Sequence, residues 1–418
     1  MPTKAAIRGF WGLRTVTLVS TSLLGVERLG TPRRLTIAVS VLVLTATAMV
    51  ACSASTAATA STHPTAVATI TSASPTGCTQ QSALAQWSTQ RLAAQVLAVP
   101  TTFAGLSKAT PLVKAGFGGI ILFGPSAPKN IKAQLAALMT QAIGVRPVIM
   151  ADEEGGTVQR LQNIVGYQPS ARYMSQTMTA AQIKARATSV GRAMAKAGIY
   201  MDLAPVLDVD GRPGPNATNP DGTRSFSANP AVAARNGVAF AQGLAAAGVI
   251  ATGKHFPGLG GSTGNTDVGA GHTLPWSTLQ RQALPPFKAA IAAHVPVIMV
   301  ANATVPGLTS KPASVSSAVM VTVLRTQLHF TGVIITDSLS AGALRKAGYD
   351  LNQAVVASLA NGADFALFGT GSTNSSTISL RVRDAVVAAV AHGTLTRTRL
   401  IAAATHVLAM KKVRLCAP

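Results

Sequence analysis

The chain has 418 residues, of which 48% are apolar but only 4% aromatic and 11% charged, and 35 Lys and Arg against 13 Asp and Glu give a formal net charge of +22. This length and apolar content support a large buried core, and three cysteines are too few for a disulfide scaffold. The basic excess favours anionic surfaces, and without interleaved aromatics it points to lipid headgroups or cell-wall polymers rather than nucleic acid.

The first 51 residues have the anatomy of an export signal. Basic residues at Lys4, Arg8, Arg14, Arg28, Arg33 and Arg34 precede an apolar run at 35–50 that ends in Ala51-Cys52. That run falls short of the roughly twenty residues a comfortable membrane span needs. Met49-Val50-Ala51-Cys52 resembles a bacterial lipobox, which implies Cys52 as the lipid-modified first residue of the mature protein; ordinary secretion with cleavage nearby is the alternative. Six basic residues and one acid lie before Cys52, so the mature chain keeps 29 bases, 12 acids and a charge of +17. Residues 52–80 read as a flexible tether, composed almost entirely of Ser, Thr, Ala, Pro and Val over 53–77. Cys78 and Cys416 then bracket the remaining domain, 81–418. In an exported protein they either pair as a disulfide or stay as two thiols; pairing requires neighbouring termini, which a closed barrel provides.

From residue 94 onward eight short apolar runs alternate with Ala-rich helical patterns: AQVLAVP, GGIILFG, PVIMADEE, IYMDLAP, VIATGKHF, PVIMVAN, GVIITDS and DFALFG. Runs apolar on both faces are buried parallel strands, and eight such units predict a single (β/α)8 TIM-type barrel. A doubly wound open sheet is the competitor, but no GxGxxG follows the first run and no P-loop occurs, so its nucleotide-binding versions lose support.

Barrel active sites gather at the C-terminal ends of the strands. Polar residues at those ends are Asp152, Glu153 and Glu154 after the third run, Asp208 and Asp210 after the fourth, Lys254 and His255 in the fifth, Asn302 after the sixth and Asp337 after the seventh. Glycines at 124 and 369, after the second and eighth, would leave room for a ligand. Any one of the acids could instead cap a helix. Acids are scarce, with no glutamate beyond Glu154, so a reaction using two carboxylates has few pairs to draw on.

KHFPGLG at 254–260 and ITDSLSAGA at 335–343 resemble the two signatures of family 3 glycoside hydrolases, and the β-N-acetylhexosaminidase branch most. DEEGGTVQR at 152–160, NPDGTRSFSANP at 219–230, KPASVS at 311–316 and NGADFALF at 361–368 extend the resemblance over roughly residues 90–370. The resemblance implies Asp337 as a nucleophile forming a covalent glycosyl-enzyme, with Asp152, Arg160, Arg224, Lys254 and His255 positioning the sugar. The branch carries its acid/base histidine in an Asp-x-His pair on the loop after the fifth strand. Here Asp267 is followed by Val268 and Gly269, and the next histidine, His272, stands five positions on. The resemblance thus implies His272 as acid/base, oriented by Asp267, on a pair displaced by three residues.

Together these readings predict an exported, lipid-anchored, monomeric β-N-acetylglucosaminidase acting on peptidoglycan fragments, with no metal or organic cofactor and no nucleic-acid partner. A β-glucosidase or phosphorylase of the same family, and a cell-wall-glycan-binding lipoprotein of weak activity, are the alternatives.

Overall fold

The computed structural model describes residues 78–371 and 375–416. The expected signal, Cys52 and all but the last few residues of the expected tether lie outside them. Eight parallel strands form the body: β1 Leu97–Thr102, β2 Gly119–Phe123, β3 Val148–Ala151, β4 Met201–Asp202, β5 Ile250–Phe256, β6 Val297–Val300, β7 Val333–Thr336 and β8 Ala366–Leu367. Their spatial order is their order in the chain, with β8 returning beside β1 through Leu97 opposite Ala366 and Ala98 opposite Leu367. A bridge from Ile335 to Phe365 joins β7 to the start of β8 and closes the barrel. The chain is therefore an α/β barrel of TIM type, built on the eight apolar runs.

Those runs lack alternation because both faces of each strand are covered. One face packs inward, where Ala98, Ile121, Met150, Met201, Met299, Ile335 and Phe365 fill the barrel axis. The other face meets the helices through Leu97, Val99, Ile120, Leu122, Ile149, Ile298, Val300 and Ile334. Phe365 fits inside because β2 begins with Gly119, where a Cβ would lie 2.7 Å from the Phe365 ring and 2.5 Å from Met150.

The longest helices carry strong local start signals. Helix Ala180–Ala197 opens on a capping box between Thr179 and Gln182 and ends at Gly198 in the left-handed conformation. Helix Pro230–Ala246 opens with Pro at its first position behind Asn229, whose side chain accepts from the N–H groups of Ala231 and Val232. Among the described residues no helix is long and apolar enough to cross a membrane.

The barrel domain begins slightly earlier than the composition suggests. Thr79 caps a helix at Gln80–Ala85, and Gln80 bonds across to the backbone of Val413 (3.1 Å) and Leu415 (3.0 Å). Arg397, in the last helix Arg397–Met410, reaches Thr89 at 2.9 Å and the Ala85 carbonyl at 3.0 Å. The termini are thus neighbours, and Cys78 is joined to Cys416 with a Cα separation of 5.9 Å. A link across 338 positions restricts the unfolded chain strongly; native links in small secreted domains are typically worth about 2–5 kcal/mol. Cys416→Ser is expected to lower the unfolding free energy by about that amount in urea titrations. An unchanged midpoint and slope would show that the link contributes nothing.

Candidate active site

A cavity of 210 Å³ opens at the C-terminal end of the strands, lined by Asp152, Glu154, Arg160, Arg224, Lys254, His255, Asn265, Thr266, Asp267, Asp337 and Ser338 over a floor that includes Ile121, Leu203, Met299 and Leu367. Its acidic side comes from the segment leaving β3. Glu153–Gly155 pairs antiparallel with Val158–Gln159 as a small ribbon, so successive side chains alternate in direction. Asp152 and Glu154 face the cavity. Glu153 turns away into the protein, where it accepts from the N–H groups of Arg160 (2.9 Å) and Leu161 (2.7 Å), while its own N–H donates to Asp202 at 3.0 Å. Burial raises the Glu153 carboxyl to about 7 and pushes Asp202 well above the usual range. These two acids hold the ribbon, and with it Arg160, in place. The ribbon turns at Gly155, where φ is +88° and a Cβ would strike the Pro169 carbonyl at 2.4 Å.

Lys254 stands opposite on β5. Its Nζ donates to Asp152 at 2.9 Å and Glu154 at 2.6 Å. Arg224, in the segment between β4 and its following helix, grips Glu154 with two parallel bonds of 2.7 and 2.8 Å and donates to the Pro220 carbonyl at 2.9 Å. Burial works against each of these ions, but the pairing outweighs it: Glu154 is held well below the usual carboxylate range, and Lys254 and Arg224 are raised above theirs. Two carboxylates against two cations leave the cluster neutral overall and locked as ions.

His255 follows Lys254 directly yet lines the same cavity. Strand alternation would forbid this, and β5 permits it because its register against β6 shifts between Gly253 and Phe256. The Lys254–His255 and Phe256–Pro257 peptide bonds are cis. Asp208 anchors the imidazole, its Oδ2 lying 2.7 Å from Nδ1 and 3.1 Å from the His255 N–H, while its Oδ1 accepts from the Leu259 N–H at 2.6 Å. Burial and the nearby Arg224 guanidinium lower His255 to about 4, so the ring is neutral at pH 7. Its Nδ1 shares a hydrogen bond with Asp208, whose own carboxyl burial raises to about 7.

Asp337 follows β7. Its N–H donates to the Val300 carbonyl at 2.9 Å and its Oδ1 accepts from the next residue's N–H at 2.7 Å. Asn302 steadies that turn by donating to the Ser338 carbonyl at 2.8 Å, and is itself held by Ser314 at 2.6 Å. Burial raises the Asp337 carboxyl, with His255 opposing the shift and Asp267 adding to it.

The structure therefore brings Asp152, Arg160, Arg224, Lys254, His255, Asp267 and Asp337 to one cavity, but it leaves His272 off the lining. His272 and Asp267 do not meet: His272 Nδ1 is hydrogen-bonded to Thr304 Oγ1, and its backbone forms a parallel bridge to Thr304. The glycines expected to admit a ligand do not line the cavity either. Gly124 makes room for the Phe103 ring, 2.9 Å from where a Cβ would lie, and Gly369 faces Ser340 at 3.3 Å. Asp210 is taken up by Arg212, at 3.1 Å.

Glu154 and Asp208 stood among the strand-end acids but were given no role. A signal existed for Glu154 in its i+2 spacing from Asp152 along an extended segment; Asp208 acts through a neighbour 47 positions away. Among the described residues one group has spacing suited to a metal: Asp208, Asp221 and His255, with ligand atoms within 4.8 Å of one another. Two of the three already satisfy each other. Both Asp221 oxygens are buried without a partner, and burial raises that carboxyl well above its usual range, which fits a neutral acid there as well as an ion ligand.

Comparison with known proteins gives the chain its family. The beta-hexosaminidase LpqI of Mycobacterium tuberculosis is 36% identical over 260 residues, spanning 60% of this chain and 66% of that protein, just under two thirds of its length. The solved structure of M. tuberculosis LpqI superposes with a TM-score of 0.71 at 32% identity, covering 80% of this chain and 96% of that one. A family 3 beta-N-acetylglucosaminidase from Paenibacillus sp. gives a TM-score of 0.71 at 29% identity, over 78% of this chain and 62% of that one. Residues 93–410 match the glycosyl hydrolase family 3 N terminal domain, and the chain belongs to that family.

Proposed function

We propose that this protein is a retaining exo-β-N-acetylglucosaminidase that releases terminal β-linked N-acetylglucosamine from peptidoglycan fragments. The observation that carries the reading is the position of Asp337, which projects from the end of β7 into the same small cavity as the Asp152, Glu154, Lys254 and Arg224 cluster. A cavity of 210 Å³ suits one terminal sugar rather than a run of them. The names of the relatives support N-acetylglucosamine as that sugar.

In this reading the ions hold the substrate and do not react. Lys254 and the two arginines donate to hydroxyl or carbonyl oxygens, Asp152 accepts from hydroxyls, and neutral His255 offers Nε2 for a hydrogen bond. Arg160 is placed for this by lining the same cavity. Contacts remote from the bond also hold the ring in a reactive shape. Asp337 attacks the anomeric carbon, a glycosyl ester forms as the leaving group departs, and water then releases the sugar with net retention. The N-terminal pattern and a relative named as a secreted glycosyl hydrolase support export, and lipid attachment at Cys52 would hold the barrel at the membrane surface.

Asp337→Ala should reduce hydrolysis of 4-nitrophenyl N-acetyl-β-glucosaminide to background. A slow 5-fluoro substrate analogue should add one sugar mass to wild-type Asp337 in peptide mapping, and labelling at a different carboxylate would displace this assignment. Arg224→Lys keeps the charge but loses the paired bonds to Glu154, and should lower kcat/KM by about 10- to 100-fold, the worth of about 1.5–3 kcal/mol for a charged hydrogen bond. Cys52→Ala should move the protein from the membrane fraction to the soluble one; an unchanged distribution would count against lipid attachment.

A further inference from the structure

The loop after β5 separates its two candidate proton donors. Its first arm reaches the nucleophile: Asn265, Thr266 and Asp267 all line the cavity beside Asp337. This arm is fixed by its own turn, in which Asn265 Oδ1 accepts from the Asp267 N–H at 3.0 Å and the Asn265 carbonyl accepts from Val268 and Gly269 at 3.1 and 3.2 Å. It is also docked on the segment following Asp337, since Gly342 donates to the Asp267 carbonyl at 2.8 Å and Ala343 to the Thr266 carbonyl at 3.0 Å. The approach is so close that a Cβ at Gly342 would lie 2.2 Å from the Val268 carbonyl.

The second arm is committed elsewhere. His272 donates its N–H to Thr263 Oγ1 at 3.0 Å and accepts from the Thr263 N–H at 2.9 Å, and its neighbours Gly271 and Thr273 both pair with Thr304 at 2.9 Å. With its ring also bonded to Thr304, His272 belongs to the rim after β6.

We propose that Asp267, not His272, is the general acid/base of this enzyme, so that catalysis runs on two aspartates. The proposal rests on the glycosidase reading given above. In the first step the Asp267 carboxyl gives its proton to the glycosidic oxygen as Asp337 bonds to the anomeric carbon; the electrons of the breaking bond go to that oxygen. In the second step the Asp267 carboxylate takes a proton from water, whose oxygen attacks the anomeric carbon and expels Asp337. The cycle ends with Asp267 protonated and Asp337 ionised, and it consumes only water. Two carboxylates flanking the scissile bond is the arrangement retaining glycosidases use most widely. The influence of Asp267 on the Asp337 carboxyl is what two acids within electrostatic reach produce.

The test compares Asp267→Ala and His272→Ala on N,N′-diacetylchitobiose, whose leaving group needs a proton, and on the 2,4-dinitrophenyl glycoside, whose leaving group does not. Asp267→Ala should lose roughly 10²–10⁴-fold on the first substrate and keep far more of bond cleavage on the second. Sodium azide should accelerate its turnover of the dinitrophenyl glycoside and yield the β-glycosyl azide, because azide needs no base. This signature at His272 instead of Asp267, or at neither, overturns the proposal while leaving the nucleophile intact. If the wild-type enzyme cleaves no N-acetylglucosaminide, the parent reading fails and this one with it.

Discussion

A lysine placed almost wholly out of water at the end of a barrel strand is the constraint on which the rest of this site depends. Lys254 is held charged there by Asp152 and Glu154, both within 2.9 Å, and Glu154 is held charged by Arg224 on the other side together with Lys254 itself. Replacing such a cluster with apolar side chains would often cost no stability, so its retention is best understood as preorganisation. Under the proposed function, hydroxyl-binding groups would stand fixed before a sugar arrives, leaving little ordering for binding to supply. The outer layer serves the same end. Glu153 and Asp202 shape the ribbon that carries Arg160, Asp208 anchors the His255 ring, and Asn302 steadies the turn at Asp337.

Much of this was legible in the chain. Eight apolar runs lacking alternation require strands covered on both faces, and the polar residues at their ends had to converge once the sheet closed. Asp337, Lys254, His255 and Asp152 were visible for that reason. The Cys78–Cys416 link was legible as one of two outcomes, since pairing requires the ends of the barrel domain to be neighbours, which a closed barrel provides.

What escaped the sequence depends on direction rather than position. Period-two alternation separates Glu153 from Glu154, but adjacent acids give no sign of which faces the cavity until the ribbon is known. The opposite surprise occurs in β5, where a register shift lets Lys254 and His255 share one side. Loop spacing misled for a similar reason: counting residues from Asp267 to His272 suggested a displaced pair, yet backbone bonds to Gly342 and Ala343 hold one and bonds to Thr304 hold the other. Side-chain identity alone does not reveal which rim a loop residue is tied to.

The central claim is that the Asp337 carboxylate, just after β7, opens a covalent, two-step route. The stereochemistry of the first-formed product tests it most directly. Proton NMR during the opening minutes of hydrolysis, before mutarotation, should show the β-anomer of N-acetylglucosamine accumulating first. Initial appearance of the α-anomer would mean a single displacement by water, and would contradict the role given to Asp337.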